Sequence, residues 1–156
     1  MPTSLLAIAR RPNLSSEKTV EKWCDDLIAK ISGKGAVVRF SQARETNQTL
    51  GISDRLYSPF GVDLWFEVKS EKPDAQLTRD QSVFLHARLA AGVCAACGTQ
   101  VELVQVLDAI RADLFGKEAD GHALALCERI VQDWEGRGFR GEKKTRQPRK
   151  EKSRDG

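Results

Sequence analysis

The segment 62–69, with the sequence VDLWFEVK, decides the fold because its side chains alternate with a period of two. Successive side chains of a strand point to opposite faces, so the aliphatic residues share one face while Glu67 and Lys69 share the other. The preceding segment 58–61, SPFG, has proline at the favoured second position of a turn. A short strand over 54–57 precedes that turn. The pattern predicts a β-hairpin with one apolar face and one face that carries an acid and a lysine.

Helix-start signals and apolar periodicity place the other elements around this hairpin. Two capping boxes, at Thr78–Gln81 and Thr99–Glu102, each predict the first turn of a helix. The predicted elements are a helix from Ser15 to Gly33, a strand over 36–40, a loop over 41–50, a helix from Thr78 to Gly92, a strand over 93–97, a helix from Thr99 to about Leu114 and a helix over 121–135. This order predicts an α/β (α+β mixed) fold, with a mixed central sheet flanked by helices.

The length of 156 residues suits one domain of ordinary size. We divide the chain into a flexible lead over 1–14, a folded domain over 15–138 and a basic tail over 139–156. Apolar residues make up 40% and charged residues 30%, and no apolar run reaches the ~18 residues that a membrane span needs. The sequence therefore excludes a membrane protein, and because it lacks a typical signal peptide we expect a cytoplasmic one.

The basic tail carries an excess of positive charge. The segment 141–156 has seven basic residues against three acidic ones and almost no apolar residues. Such a segment cannot offset the entropy of ordering itself, so we expect it to be disordered in isolation. A flexible basic arm is typical of phosphate-backbone binding, and a solubilising tail has the same composition. Both interpretations stay open.

Four cysteines raise the question of a zinc site. Cys94 and Cys97 are three residues apart on a predicted strand, so they point to opposite faces and do not converge on one ion. Cys24 and Cys127 stand singly, without a second pair of ligands at zinc spacing. We interpret the four as small buried residues in a reducing cytosol, with a metal site as the alternative.

The polar face of the hairpin carries candidate metal ligands. A tight turn at 58–61 places Asp54 opposite Trp65, which puts its carboxylate on the face of Glu67 and roughly 7 Å from it. Two carboxylates at that distance suit one hard cation such as Mg²⁺. Lys69 shares the face and can orient or activate a water, so the set suits hydrolysis of a phosphodiester.

Two alternatives stay open for this face. Acids and lysines two residues apart are common on solvated strand faces. The turn register also matters, because a one-residue slip would turn Asp54 toward the apolar side. Asp63 lies ~13 Å along the strand from Glu67, too far to share an ion with it, and we expect it at the rim.

Four short motifs occur in order along the chain. They are Gly51-Ile52-Ser53-Asp54-Arg55, Trp65-Phe66-Glu67-Val68-Lys69, Gln81 with Phe84-Leu85, and Ala90-Ala91-Gly92. This series resembles the VRR-NUC branch of the PD-(D/E)xK nuclease superfamily, and the likeness covers about two thirds of the chain. One departure is Ser53, where many relatives have proline. The resemblance implies a restriction-endonuclease-like core, Mg²⁺ or Mn²⁺ as cofactor and cleavage of DNA.

The resemblance also implies roles for individual residues. Asp54 and Glu67 would be metal ligands together with the backbone carbonyl of Val68, and Lys69 would be the catalytic lysine. Gln81 would be the supporting glutamine, a role that is compatible with its place in a capping box.

A further acid is expected from the first helix. On a helical wheel Glu17 points more nearly toward the sheet than Glu21 does, so we choose Glu17 as a metal ligand and catalytic acid. The alternatives are Glu21 in that role, or Glu17 as a first-turn acid that only stabilises the helix dipole.

Basic residues supply candidate phosphate contacts, with solvated surface charge as the alternative. They are Arg39, Arg44, Arg55, Lys143, Lys144, Arg146, Arg149 and Lys150. The first functional hypothesis is a metal-dependent DNA endonuclease, with structure-selective cleavage of branched DNA as one option, that acts as a homodimer. The second is a non-catalytic nucleic-acid binder on a nuclease-like scaffold, in which the acids serve only the structure.

Overall fold

The computed structural model describes residues 16–40, 52–116 and 122–142. In these ranges the helices are α1 (Glu17–Ser32), α2 (Arg79–Ala90), α3 (Gln100–Phe115) and α4 (His122–Glu135), and the strands are β1 (Val37–Arg39), β2 (Arg55–Tyr57), β3 (Leu64–Val68) and β4 (Cys94–Gly98). The predicted lead over 1–14, the predicted loop over 41–50 and residues 143–156 of the tail lie outside the described residues, as do Arg44 and the five tail residues proposed to contact phosphate.

The strands form one sheet in the order β1-β2-β3-β4. The first three are antiparallel neighbours, whereas β4 pairs parallel to β3 after the crossover through α2. Antiparallel neighbours need only short connections, and a parallel neighbour needs a crossover of about a dozen residues or more, which α2 supplies. The predicted mixed sheet flanked by helices is confirmed.

The hairpin register differs from the predicted one by two residues. Tyr57 pairs with Leu64 and Arg55 with Phe66, so continuing the ladder by one residue sets Asp54 opposite Glu67 rather than Trp65. The turn is longer than a two-residue loop because Phe60 adopts a left-handed φ of 54° within a short 3₁₀ turn. A shift of two residues preserves the side-chain alternation, so Asp54 keeps the predicted face and moves from a diagonal to a direct neighbour of Glu67.

Different helices cover the two faces of the sheet. Arg55 and Tyr57 of β2 both contact Asp25 of α1, so α1 covers their face. Trp65 of β3 packs edge-on against Phe84 of α2, with ring centroids 5.2 Å apart, so α2 covers the opposite face. The acid and lysine face of the hairpin is therefore enclosed by a helix, and the alternative of a solvated strand face is wrong.

The helix starts follow the sequence signals. Ser16 caps α1, and both predicted capping boxes are formed, by Thr78 with Gln81 and by Thr99 with Glu102. The apolar stripes of the helices close a single core against the sheet, with α4 packed on β4, α2 and α3. Within the described part of the chain, no helix is both long enough and apolar enough to span a membrane.

The folded region extends past the predicted domain boundary at residue 138. Leu77 forms a parallel bridge with Phe139, the backbone N–H of Arg140 donates to the carbonyl of Leu77, and Glu142 pairs with Arg79. These contacts attach residues 139–142 to the start of α2. The basic segment that follows them begins at Lys143, outside the described residues.

The four cysteines pack in or against the core as free thiols. Cys24, Cys97 and Cys127 are buried and Cys94 is half-buried. Among the described residues, the group of three or more His, Cys, Asp or Glu side chains with ligand atoms close enough to hold a metal ion consists only of carboxylates. The prediction of small buried cysteines is confirmed for Cys24, Cys97 and Cys127.

Candidate metal and catalytic site

Three carboxylates converge near the start of β2. One oxygen from each of Glu17, Glu21 and Asp54 lies within 4.8 Å of the other two. Glu17 and Glu21 are one turn apart on α1, so both side chains leave the same side of the helix. Glu17 is exposed, while Glu21 and Asp54 are half-buried. The group therefore opens to solvent on the Glu17 side.

Glu67 lies at the closed end of this arrangement with 2% of its surface exposed. Its Oε2 accepts a hydrogen bond of 3.1 Å from the backbone N–H of Asp54, and its Oε1 accepts one of 2.7 Å from Nε2 of Gln81. Nζ of Lys69 is 3.7 Å from the same Oε1. These contacts fix the carboxylate plane of Glu67 beside Asp54.

Lys69 and Gln81 form the second part of the site. Oε1 of Gln81 accepts hydrogen bonds from Nζ of Lys69 at 3.0 Å and from the backbone N–H of Thr78 at 2.9 Å. Gln81 therefore completes the capping box of α2 and orients Lys69 and Glu67 at once, as the sequence allowed. A lysine ammonium has three N–H donors, so with Gln81 and Glu67 as neighbours Lys69 keeps donor capacity for a substrate oxygen.

Burial is the main cause of raised pKa values at two carboxyl groups of the site. Burial, with the nearby charge of Asp54, raises the pKa of Glu67 from its ordinary 4.5 to about 8, although Lys69 acts in the opposite direction. Burial also raises the pKa of Glu21, and Arg55 partly opposes that rise. A divalent cation would favour the ionised form of both groups, so its binding would release protons.

A second polar cluster lies on the other face of the hairpin and centres on Asp25. Oδ1 of Asp25 accepts hydrogen bonds from Nε of Arg55 at 2.9 Å and from the hydroxyl of Tyr57 at 2.7 Å. Nε of Arg39 is 3.0 Å from Oδ2. We call Asp25, Arg39, Arg55 and Tyr57 the Asp25 cluster. We call Glu17, Glu21, Asp54, Glu67, Lys69 and Gln81 the Glu67 cluster.

The Asp25 cluster changes the interpretation of two predicted phosphate contacts. Arg55 is 8% exposed and its guanidinium nitrogens are engaged within the protein, so its position argues against a direct phosphate contact. The side chain of Arg39 also pairs with Asp25 but is 67% exposed, which leaves it accessible to a ligand.

The structure brings together the predicted Asp54, Glu67, Lys69 and Gln81, and it adds residues that were not chosen from the sequence. Glu21 joins Glu17 instead of replacing it, and Asp25 continues the same series one turn further along α1. The available signal was the spacing of four residues between Glu17, Glu21 and Asp25, next to the buried stripe of α1. Asp63 is exposed and accepts a 3.4 Å hydrogen bond from Ser58, as expected of a rim residue.

The donor set fits a hard divalent cation. Every close ligand atom is a carboxylate oxygen, which Mg²⁺ and Mn²⁺ prefer over Zn²⁺-type thiolate or imidazole sets. The set also contains more carboxyl groups than nearby cations, since Lys69 and Arg55 face the four groups of Glu17, Glu21, Asp54 and Glu67. Val68 lies between Glu67 and Lys69 on β3, and its carbonyl stays a predicted ligand.

No protein-family model, curated protein or solved structure matches this chain.

Proposed function

We propose that this protein is a Mg²⁺- or Mn²⁺-dependent endonuclease that hydrolyses DNA phosphodiester bonds. The observation that carries the proposal is the meeting of Glu17, Glu21 and Asp54 within 4.8 Å beside a buried Glu67 and Lys69. A structural role alone does not favour this grouping, because Glu67 is buried beside the half-buried Glu21 and Asp54, and acids removed from water without matching cations are costly. A site for a divalent cation accounts for that cost.

Asp54, Glu67 and the α1 acids Glu17 and Glu21 would hold the cation. When bound, it would stabilise negative charge on the phosphate and lower the pKa of a coordinated water. Asp54 and Glu67 are held side by side by the bond from the Asp54 backbone N–H to Glu67 Oε2, so neither carboxylate has to reorganise far to become a ligand. Preformed geometry of this kind is what electrostatic catalysis requires.

Lys69 would act on the attacking water or on a phosphate oxygen. The ammonium of Lys69 is held 3.0 Å from Gln81 Oε1, and the residue is only 6% exposed. Lys69 would therefore reach the substrate from the closed side of the site. Gln81 acts as a positioning residue because it contacts Lys69 and Glu67. The exposed Glu17 marks the side from which a phosphodiester would enter.

DNA as the partner rests on the family resemblance, on the exposed Arg39 and on the basic segment from Lys143 onward. Two copies of the chain would present one site to each strand of a duplex, which is why we propose a homodimer. Four free thiols fit a reducing compartment, and the cytoplasm is the location we propose.

The test is a cleavage assay on linear duplex, single-stranded and four-way-junction DNA with Mg²⁺, Mn²⁺ or EDTA. We expect metal-dependent cleavage that Asp54→Asn lowers by at least about 100-fold, the scale of removing one electrostatic contribution at a reacting phosphate. Asp63→Asn is the matched control, because it removes an exposed carboxylate of the same hairpin and should leave cleavage intact.

Equal cleavage by the wild type and by folded Asp54→Asn would contradict the site assignment. DNA binding without cleavage under any metal condition would instead favour the non-catalytic binder on a nuclease-like scaffold.

A further inference from the structure

Arg55 joins the two elements that supply the acids. Its NH2 is 3.5 Å from Oε2 of Glu21 on α1, and its NH1 donates a 3.2 Å hydrogen bond to the backbone carbonyl of Asp54 at the start of β2. The third nitrogen, Nε, contacts Asp25 at 2.9 Å. Each nitrogen of this one guanidinium thus meets a different partner, and two of the partners are candidate metal ligands.

Asp25 fixes the plane of that guanidinium. Its two oxygens are shared among Arg55, Tyr57 and Arg39, and it is 4% exposed. A saturated buried carboxylate of this kind has little freedom to rotate. Because guanidinium is planar and its donors are fixed relative to one another, the contact with Asp25 also fixes the direction of the donors toward Glu21 and Asp54.

We propose that Arg55 is a positioning residue that sets the spacing of Glu21 and Asp54, and that Asp25 holds it in the required orientation. The inference rests on the proposed function, because it assigns Arg55 a role toward the same cation. It differs from the sequence interpretation of Arg55 as a phosphate contact. A residue that is 8% exposed, with each of its three nitrogens already in contact with a protein group, is poorly placed to reach a substrate phosphate.

Two other roles would give Arg55 the same contacts. In the first, Arg55 only neutralises the buried charge of Asp25, and the geometry toward Glu21 and Asp54 is incidental. In the second, Arg55 acts only through its own positive charge near the acids, and a lysine would serve equally well. Variants of Arg55 and Asp25 distinguish these two roles from the proposed positioning of Glu21 and Asp54.

The experiment measures Mn²⁺ binding to the full chain by electron paramagnetic resonance, which reports free hexaaqua Mn²⁺ without any need for turnover. The variants are Arg55→Lys, the double variant Arg55→Gln with Asp25→Asn, and Lys22→Gln as the matched control. The double variant removes both buried charges together, so it should stay folded where Arg55→Gln alone risks leaving Asp25 unpaired. Lys22→Gln removes an exposed cation of α1 that pairs with the exposed Asp26.

We expect the double variant and Arg55→Lys to bind Mn²⁺ about 10- to 100-fold more weakly than the wild type, the usual scale for residues that orient metal ligands. Lys22→Gln should leave the Mn²⁺ affinity unchanged. Thermal unfolding in EDTA should find the double variant folded. If the double variant binds Mn²⁺ as tightly as the wild type, Arg55 serves only to balance the charge of Asp25. If Arg55→Lys binds Mn²⁺ as tightly as the wild type, Arg55 acts through its positive charge and not through the geometry of its guanidinium. Either result overturns the inference.

Kinetics add a second readout. Weaker positioning should lower kcat at saturating Mn²⁺ while KM for DNA and its salt dependence stay the same. A raised KM with a shallower salt slope in Arg55→Lys would mean that Arg55 contacts phosphate, and this also overturns the inference. The wild type and Asp54→Asn test the proposed function separately. Equal Mn²⁺ binding by these two proteins would contradict the cation site itself, whatever the result for Arg55.

Discussion

The hairpin residues of the Asp25 cluster and those of the Glu67 cluster lie on opposite faces of the sheet, whereas α1 contributes acids to both clusters. Arg55 points toward Asp25 of α1, whereas Asp54 faces Glu67. In the Asp25 cluster both carboxylate oxygens have a cation or a hydroxyl donor. In the Glu67 cluster the carboxylates outnumber the cations, and burial with mutual repulsion raises the pKa of Glu67 to about 8.

The difference separates a cluster that holds the fold, and by our inference positions the acids through Arg55, from a cluster that we propose binds a cation. A balanced buried network is costly to disturb and has nothing left to bind. An unbalanced network stores unfavourable charge, which a ligand of opposite sign can relieve. The comparison therefore predicts that loss of Asp25 in the first cluster weakens the fold, and that neutralising the buried Glu67 in the second changes activity and strengthens the metal-free fold.

The largest effect on stability is expected from Asp25→Ala. Removing this carboxylate leaves Arg55 buried without its closest partner and Tyr57 without its acceptor, so the free energy of unfolding should fall by about 3 to 5 kcal/mol. Urea denaturation at pH 7 measures it. The control is Asp26→Ala, which removes an exposed acid at the next position of α1, paired only with Lys22 at 2.7 Å, and should cost no more than about 0.5 kcal/mol. Equal losses in the two variants would break the distinction between the clusters.

The next effect is a gain in stability from Glu67→Gln that depends on pH. The folded protein holds a proton on Glu67 up to about pH 8, while the unfolded chain releases it near 4.5. This carboxyl group therefore favours folding most at low pH, and the stability it contributes is lost as the pH rises through that window. Glutamine cannot ionise, so its advantage over glutamate should grow by on the order of a few kcal/mol between pH 5 and pH 8.

Denaturation of the wild type and Glu67→Gln in EDTA at several pH values tests this expectation. A constant difference between the two proteins is attributable to altered hydrogen bonds at Gln81 and Asp54, so the slope with pH is the informative quantity. Parallel pH profiles would mean that Glu67 is not protonated in the folded protein. Addition of Mn²⁺ should stabilise the wild type more than the variant, because the cation favours the ionised carboxylate.

A smaller and more selective effect is expected at the two capping boxes. Gln81→Ala and Glu102→Ala each remove the reciprocal bond of a box and should cost about 1 kcal/mol of stability. Gln81 also contacts Lys69 and Glu67, so only Gln81→Ala should lower kcat, by about 10- to 100-fold. Steady-state cleavage measures the difference, and a similar kcat in the two variants would place Gln81 outside the Glu67 cluster in function.

The smallest effect on the fold is expected from deletion of residues 143–156. The truncation starts after Glu142 because that residue pairs with Arg79. The deleted segment has seven basic and two acidic residues, so Tm should stay the same while DNA affinity falls and its salt slope becomes shallower by about 0.9 per lost phosphate contact. Turnover at saturating DNA should persist. An unchanged salt slope would assign the segment to solubility and direct attention to Arg39.

Local signals were sufficient to predict most of the fold. The capping boxes at Thr78 and Thr99, the serine cap of α1 and the alternation in β3 depend on residues a few positions apart, and all of them are confirmed. The face shared by Asp54, Glu67 and Lys69 was also predictable. It survives a two-residue error in the hairpin register because alternation has a period of two.

The partners of Arg55 were not predictable from the same signals. Asp25 and Arg55 are 30 residues apart, and their contact depends on which way α1 lies across the sheet. The turn at Phe60 posed a similar difficulty, because a left-handed φ at a residue other than glycine has no distinct sequence mark. The two capping boxes have the same sequence pattern. Tertiary packing places Gln81 of the first box, and not Glu102 of the second, in contact with Glu67 and Lys69.

The sequence by itself determined the order of helices and strands, their caps and the face on which each strand residue lies, because these follow from short-range backbone geometry. Only the tertiary structure decided that Glu17 and Glu21 both meet Asp54, that Asp54 stands directly beside Glu67, and that Arg55 turns inward to Asp25. Those contacts join residues that are distant in the chain. They depend on the packing of α1 and α2 on the sheet, where a shift of a few ångströms exchanges one charged partner for another.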